Sequence, residues 1–134
     1  MAESYVLDSF AILALLRDEA GSDVVANLLQ KTEAGQIQTW MTWVNVGEIA
    51  YIVERRRGAK HVYQVLGNLE AMHINFVPAD RELALTAAHI KAQHPLAYAD
   101  AFAAALAQLK HATLVTGDPE FKTLESDLTI QWLV

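Results

Sequence analysis

Cysteine is absent from this 134-residue chain, and that absence excludes several kinds of functional site. Disulfide frameworks, thiol nucleophiles, cysteine-ligated zinc and iron–sulfur clusters all need sulfur that the chain does not have. Any catalysis must therefore use oxygen and nitrogen groups. A chain without cysteine also suits a reducing compartment.

Long apolar segments are missing as well. Asp8, Arg17 and Asp18 bracket the first apolar run, and Asp100 interrupts the run at 96–109, so neither reaches the ~20 residues that a membrane helix needs. Residues 1–4 lack the basic segment that opens a signal peptide. We therefore expect no membrane association and a cytoplasmic location.

Positive charge is scarce. Ten Lys and Arg residues stand against 16 Asp and Glu residues, which gives a formal net charge of −6. This balance argues against broad attraction to nucleic acid, unless local positive charge or bound cations reverse it at one site. The length favours one hydrophobic core, so we expect a single domain over residues 1–134.

Apolar periodicity alternates between strands and helices along the chain. Strands are predicted at 4–7, 37–41, 74–77, 113–116 and 128–133, and helices at 10–16, 22–34, 42–57, 60–73, 80–93 and 97–110. Residues 117–119 form a turn whose proline suits a helix start. This order predicts an α/β fold with a mostly parallel sheet covered on both faces, and such sheets bind ligands beyond the carboxyl ends of their strands.

Two acidic residues follow predicted strands. Asp8 comes directly after the first strand, and Asp118 lies two residues after the fourth. Both are therefore expected where this fold class places its sites. Each also has a structural interpretation, because Asp8 can cap the helix at Phe10 and Asp118 before Pro119 is a good N-cap.

Two more acidic residues lie on predicted helices. Glu48 shares a helix stripe with Val44, Ile49 and Ile52, where an unpaired carboxylate is costly, so a partner is required. A Lys or Arg from elsewhere in the fold would be the structural alternative. Asp100 lies among alanines that allow another backbone to approach, and its structural alternative is an N-cap.

Four carboxylates that converged would repel one another without a cation between them, so convergence implies a metal. Oxygen ligands favour Mg²⁺ or Mn²⁺ over zinc. The five histidines form no ligand set, because His89 and His94 diverge on a helix and the other three stand alone.

The segments around these four acids resemble the acidic motifs of PIN-domain ribonucleases. They are Tyr5-Val6-Leu7-Asp8-Ser9, Asn45-Val46-Gly47-Glu48, Leu96-Ala97-Tyr98-Ala99-Asp100-Ala101 and Val115-Thr116-Gly117-Asp118-Pro119-Glu120-Phe121. In order and spacing they are most similar to the VapC toxins of bacterial toxin–antitoxin pairs. Each motif alone is weak, whereas all four in order are specific.

This resemblance implies a three-layer α/β/α sandwich and hydrolysis of RNA at a Mg²⁺ or Mn²⁺ site made by Asp8, Glu48, Asp100 and Asp118. The small polar residues expected to support that site are Ser9, Asn45 and Thr116. The resemblance also implies a homodimer and an antitoxin partner that covers the site. Water activated by the metal would leave a 5′-phosphate and a 3′-hydroxyl.

A basic cluster ends the third predicted helix. Arg55, Arg56, Arg57 and Lys60 fall within six positions, where they can hold RNA phosphates or simply interact favourably with the helix dipole.

Three aromatic residues depart from the usual pattern of the PIN-domain family. Phe10 stands where many members have a small residue, and Trp40 and Trp43 favour a core or dimer role over base stacking.

Other protein classes explain fewer of these acidic residues. A phosphatase of the haloacid dehalogenase type needs a second Asp two residues after Asp8, where this chain has Phe10. A receiver-type Mg²⁺-binding signalling domain needs a Lys at the end of a late strand, and the last two predicted strands contain none. A PIN nuclease that is not a toxin, and a PIN-like RNA- or protein-binding module without catalysis, remain alternatives.

Overall fold

A computed structural model describes residues 3–134, so Met1 and Ala2 of the segment considered for a signal peptide lie outside it. Five strands are β1 (Ser4–Leu7), β2 (Gln38–Thr42), β3 (Asn75–Val77), β4 (Thr113–Thr116) and β5 (Ile130–Trp132). Six α-helices are α1 (Ser9–Leu16), α2 (Ser22–Glu33), α3 (Trp43–Arg57), α4 (Ala59–Glu70), α5 (Arg81–Gln93) and α6 (Tyr98–Lys110). A 3₁₀ helix, Pro119–Leu124, follows β4. In the described part of the chain, no helix is long and apolar enough to cross a membrane.

The strands form one sheet in the order β3-β2-β1-β4-β5, and every neighbouring pair is parallel. Successive residues of each strand face opposite sides of the sheet. Val6 and Leu114 pack with α5 and α6, whereas Leu7 and Val115 pack with α1 to α4. The expected α/β/α sandwich is confirmed, and its sheet is parallel throughout.

Local chemistry explains the helix boundaries. The Thr42 hydroxyl accepts a hydrogen bond from the Asn45 backbone N–H and begins α3, and Asp80 begins α5 in the same way. Gly58 ends α3 with a φ of 88°, a conformation that favours glycine. Helix α4 ends three residues earlier than predicted, because the chain turns there and His73 adopts a φ of 63°.

The predicted last strand, 128–133, is longer than β5, although its backbone hydrogen bonds to β4 extend from the Thr129 carbonyl to the Leu133 N–H.

The strand order matters more for function. The chain adds β2 and β3 on one side of β1 and β4 and β5 on the other. The carboxyl ends of β1 and β4 therefore border the switch point at which open α/β sheets bind ligands.

Candidate metal centre

Asp8 lies at the end of β1 and is 1% exposed. One carboxylate oxygen accepts a hydrogen bond from the Ala11 backbone N–H at 2.9 Å, and the other accepts one from the Thr116 hydroxyl of β4. The Thr116 hydroxyl in turn accepts the Asp118 backbone N–H at 3.0 Å. The predicted helix cap is therefore confirmed, and Thr116 joins the first and last acids of the set.

Glu48 is half-buried on the second turn of α3 and accepts a hydrogen bond from the hydroxyl of Ser9, the first residue of α1. Over residues 3–134, no Lys or Arg nitrogen lies within 4.0 Å of the Glu48 carboxylate. The alternative of a buried ion pair at Glu48 is therefore wrong. Its observed partner is a neutral hydroxyl, which leaves the negative charge uncompensated.

Asp100 is 6% exposed and occupies the first turn of α6. The N-cap of this helix is Ala97, so the structural alternative of a capping Asp100 is wrong. Asn45, which is fully buried, donates from its amide to the Ala99 carbonyl at 3.1 Å and accepts the Thr42 hydroxyl at 2.6 Å. Asn45 thus fixes the start of α3 against α6 beside Asp100.

Asp118 caps the 3₁₀ helix by accepting the Glu120 backbone N–H at 2.9 Å, as the sequence predicts. This turn brings in a carboxylate that sequence reasoning missed. One carboxylate oxygen from each of Asp100, Asp118 and Glu120 lies within 4.8 Å of the other two. The signal was present in the Asp-Pro-Glu order after β4, since such a turn presents both acids at one sheet edge.

The carboxylates perturb one another. The pKa of Asp8 is raised from 3.8 to about 7, chiefly by burial and also by the charges of Asp118 and Glu48, although the hydrogen bonds from Thr116 and Ala11 lower it. Burial and a hydrogen bond with Glu120 raise the pKa of Asp100 to about 8, with the charges of Asp118, Asp8 and Glu48 adding to the effect. The other three predicted acids are therefore near enough to perturb Asp100, and the carboxylate oxygens that meet within 4.8 Å of one another belong to Asp100, Asp118 and Glu120.

This environment fits a divalent cation. Its donors are carboxylate oxygens, and over residues 3–134 no Lys or Arg side chain forms a salt bridge with any of them. Hard oxygen donors with surplus negative charge are the set that Mg²⁺ and Mn²⁺ prefer. The candidate ligand group in the described part of the chain holds carboxylates alone.

Phe10 packs beside the site. A Cβ on Gly117 would come within 2.3 Å of the Phe10 ring, so the ring lies directly against the backbone between Thr116 and Asp118. Glycine is required there for this close approach. The bulky Phe10 ring thus fits at this position because Gly117 has no side chain.

The two tryptophans differ. Trp40 is half-buried against the core of α5 and α6, with the Lys110 amine 4.1 Å from the centre of its ring. Trp43 is 43% exposed at the start of α3 and packs on Phe76, with ring centres 5.0 Å apart. The expected core role is therefore confirmed for Trp40.

The basic cluster at the end of α3 does not share one face. Arg55 packs over the Tyr51 ring. Arg56 and Arg57 line a cleft of about 470 Å³ between α1, α3 and α4. Lys60 is exposed on the first turn of α4.

Residues 5–126 match the PIN domain. The chain belongs to the PIN-domain family. This is a family of nucleases, and the match spans the four acidic segments of the candidate metal centre. Among curated proteins, none matches the chain in sequence.

Solved PIN-domain structures share the whole fold. VapBC from Salmonella typhimurium, bound to DNA, is 17% identical with a TM-score of 0.76 over 100% of both chains. VapBC2 from Rickettsia felis, bound to a promoter fragment, is 16% identical with a TM-score of 0.74 over 96% of this chain and 97% of the other. VapC20 from Mycobacterium tuberculosis, a toxin that cleaves the sarcin–ricin loop, is 16% identical with a TM-score of 0.68 over 90% and 94%. These structures therefore share the PIN fold with this chain.

Proposed function

We propose that this PIN domain, over residues 1–134, is a Mg²⁺- or Mn²⁺-dependent ribonuclease that acts as the toxin of a toxin–antitoxin pair. The observation that carries the proposal is the convergence of uncompensated carboxylates at the switch point of the sheet. Asp8, Glu48, Asp100 and Asp118 would hold the cation. Glu120 extends the same cluster and would assist them.

The residues around the acids keep them in place. Thr116 orients Asp8, and Ser9 orients Glu48. Asn45 sets the distance between α3 and α6. A divalent cation held by these carboxylates would supply the Lewis acidity that activates a phosphodiester and a water molecule at neutral pH, so no side-chain nucleophile is needed. Because the acids are fixed before substrate arrives, little reorganisation is required during the reaction.

The RNA strand would reach the site past the end of α3. Arg55, Arg56, Arg57 and Lys60 place four positive charges there in a chain whose net charge is −6. These side chains lie on different faces, an arrangement that suits a single RNA strand curving around the end of α3 better than a straight duplex. We propose these residues as RNA contacts.

An antitoxin is the proposed protein partner. Support comes from the neighbours: VapBC from Salmonella typhimurium and FitAB bound to DNA both share the fold, and they are toxin–antitoxin complexes. An antitoxin segment would cover the carboxylates, and a homodimer would use the exposed Trp43 face. The pair would act in the cytoplasm, where its RNA target lies.

RNA cleavage tests the proposed nuclease function. The purified protein should cleave a structured RNA in the presence of Mg²⁺ or Mn²⁺. Cleavage should stop when EDTA is added, because carboxylates without a cation do not activate the phosphodiester. Mapping of the product ends should give 5′-phosphates and 3′-hydroxyls. Products that end in 2′,3′-cyclic phosphate, or cleavage that survives chelation, would overturn the mechanism.

A further inference from the structure

Helix α3 carries an exposed aromatic and basic pair next to the metal centre. Tyr51 is 48% exposed, and the guanidinium carbon of Arg55 lies 4.9 Å from the centre of its ring. Positions 48, 51 and 55 follow the three- and four-residue spacing that places side chains on one helix face. The pair therefore begins one helical turn beyond Glu48 on the same face.

Ion pairing does not account for the position of Arg55. Within residues 3–134, Arg55 has no carboxylate oxygen within 4.0 Å, whereas Arg17 has Glu19 at 3.7 Å. Exposure alone is not the signal, because Tyr63 on α4 is 76% exposed and has neither a cation on its ring nor an acid of the metal centre one turn away. What distinguishes Tyr51 is the stacked guanidinium together with the neighbouring Glu48.

The pair offers the groups that bind an unpaired nucleotide. Aromatic rings and guanidinium planes stack on nucleobases, and the N–H groups of an Arg also bind phosphate oxygens. Arg55 lies seven positions after Glu48, a rise of about 10 Å along the helix axis, so one RNA strand can contact both ends of this stretch. A base held in a duplex is already stacked and cannot use the ring.

We propose that Tyr51 and Arg55 form a subsite for an unpaired nucleotide that adjoins the phosphodiester to be cleaved. The base stacks on the pair and Arg55 binds the adjoining phosphate. The proposal rests on the proposed ribonuclease function and assigns the recognition of one unpaired base to these two residues. Arg55 thereby has a different role from Arg56 and Arg57, which face the cleft beside α1 and α4.

The test compares matched variants on a hairpin RNA with an unpaired loop. Tyr51→Leu should raise KM about tenfold, the effect expected when one base loses its aromatic platform, and should leave kcat within about twofold. Tyr51→Phe should restore the wild-type KM, because the ring and not the hydroxyl stacks. Tyr63→Leu removes a similar ring from α4 and should change neither constant.

Arg55→Gln should raise KM as well and should reduce the slope of log affinity against log salt by about one. Lys31→Gln on α2 removes the same charge elsewhere and is its control. Binding measured by fluorescence anisotropy, with the loop oligonucleotide in Mg²⁺, should show the same order. A fully paired duplex of that sequence should be bound equally by the wild type and Tyr51→Leu.

The outcomes separate this subsite from the proposed function. If the wild type cleaves RNA and folded Tyr51→Leu has the KM of Tyr63→Leu, the subsite is wrong and the ribonuclease function stands. If Tyr51→Leu weakens only the binding of a protein partner, the pair is a protein contact and the subsite is again wrong. A wild type that neither binds nor cleaves RNA overturns both.

Discussion

Asp100→Asn should lower RNA cleavage by at least about a hundredfold while the protein melts at the same temperature or higher in EDTA. The amide keeps the shape of the side chain and removes one negative charge from a cluster whose other charges, on Asp8, Glu48 and Asp118, act on Asp100. Removing a like charge relieves repulsion, and the new amide can donate to Glu120. A rise of a few degrees in Tm, measured at pH 8.5 where the wild-type carboxylate is ionised, is the expected size.

Mg²⁺ should stabilise Asp100→Asn less than the wild type, because stabilisation by a ligand grows with its affinity. Asp23→Asn, an exposed change in the first turn of α2, is the matched control and should leave cleavage and Tm near wild-type values. The same logic applies to Glu48→Gln. Wild-type cleavage by an Asp100→Asn protein that melts several degrees lower would make Asp100 a structural residue and not a ligand.

The metal-free protein should lose stability as the pH rises from 5 to 8.5. Asp8 and Asp100 have folded-state pKa values of about 7 and 8, above the ordinary 3.8, so the folded protein binds protons more tightly than the unfolded chain. Their contribution to the free energy of unfolding is therefore full below pH 3.8 and is lost as the pH passes through the folded-state values. Thermal melts in EDTA across this range provide the measurement.

Saturating Mg²⁺ should reduce or reverse that loss, because the cation binds the deprotonated carboxylates and replaces the protons. Asp100→Asn has one titrating group fewer, so its Tm in EDTA should depend less steeply on pH than that of the wild type. This comparison isolates the contribution of Asp100, because every other ionisable side chain is present in both proteins. Equal pH dependence in the wild type and the variant would contradict the raised pKa of Asp100.

Much of the fold could be predicted because local sequence and final structure agree. The strand Ser4–Leu7 and the strand Thr113–Thr116 have the predicted bounds, since each is a short β-prone run that ends where a turn or a helix cap begins, at Asp8 and at Gly117. The end of α4 was predicted three residues too late. That boundary depends on the left-handed turn at His73, which a non-glycine residue does not signal in sequence.

The site was predictable where chemistry follows secondary structure. The predicted ends of the first and fourth strands located Asp8 and Asp118. Each of these residues also caps the helix that follows it, in agreement with its structural interpretation. Glu120 was missed because its position depends on the 3₁₀ turn that returns the chain toward Asp100. The partner of Glu48 was equally hidden, since Ser9 meets it only when α1 and α3 pack together.

The central claim is that these carboxylates hold the cation that cleavage requires. Anomalous diffraction from crystals of the protein soaked in Mn²⁺ locates that cation directly. We expect a Mn²⁺ peak among the carboxylates of Asp8, Glu48, Asp100 and Asp118, and no such peak in Asp100→Asn crystals at the same Mn²⁺ concentration. A Mn²⁺ ion bound only elsewhere, or none at a concentration that supports full cleavage, would contradict it.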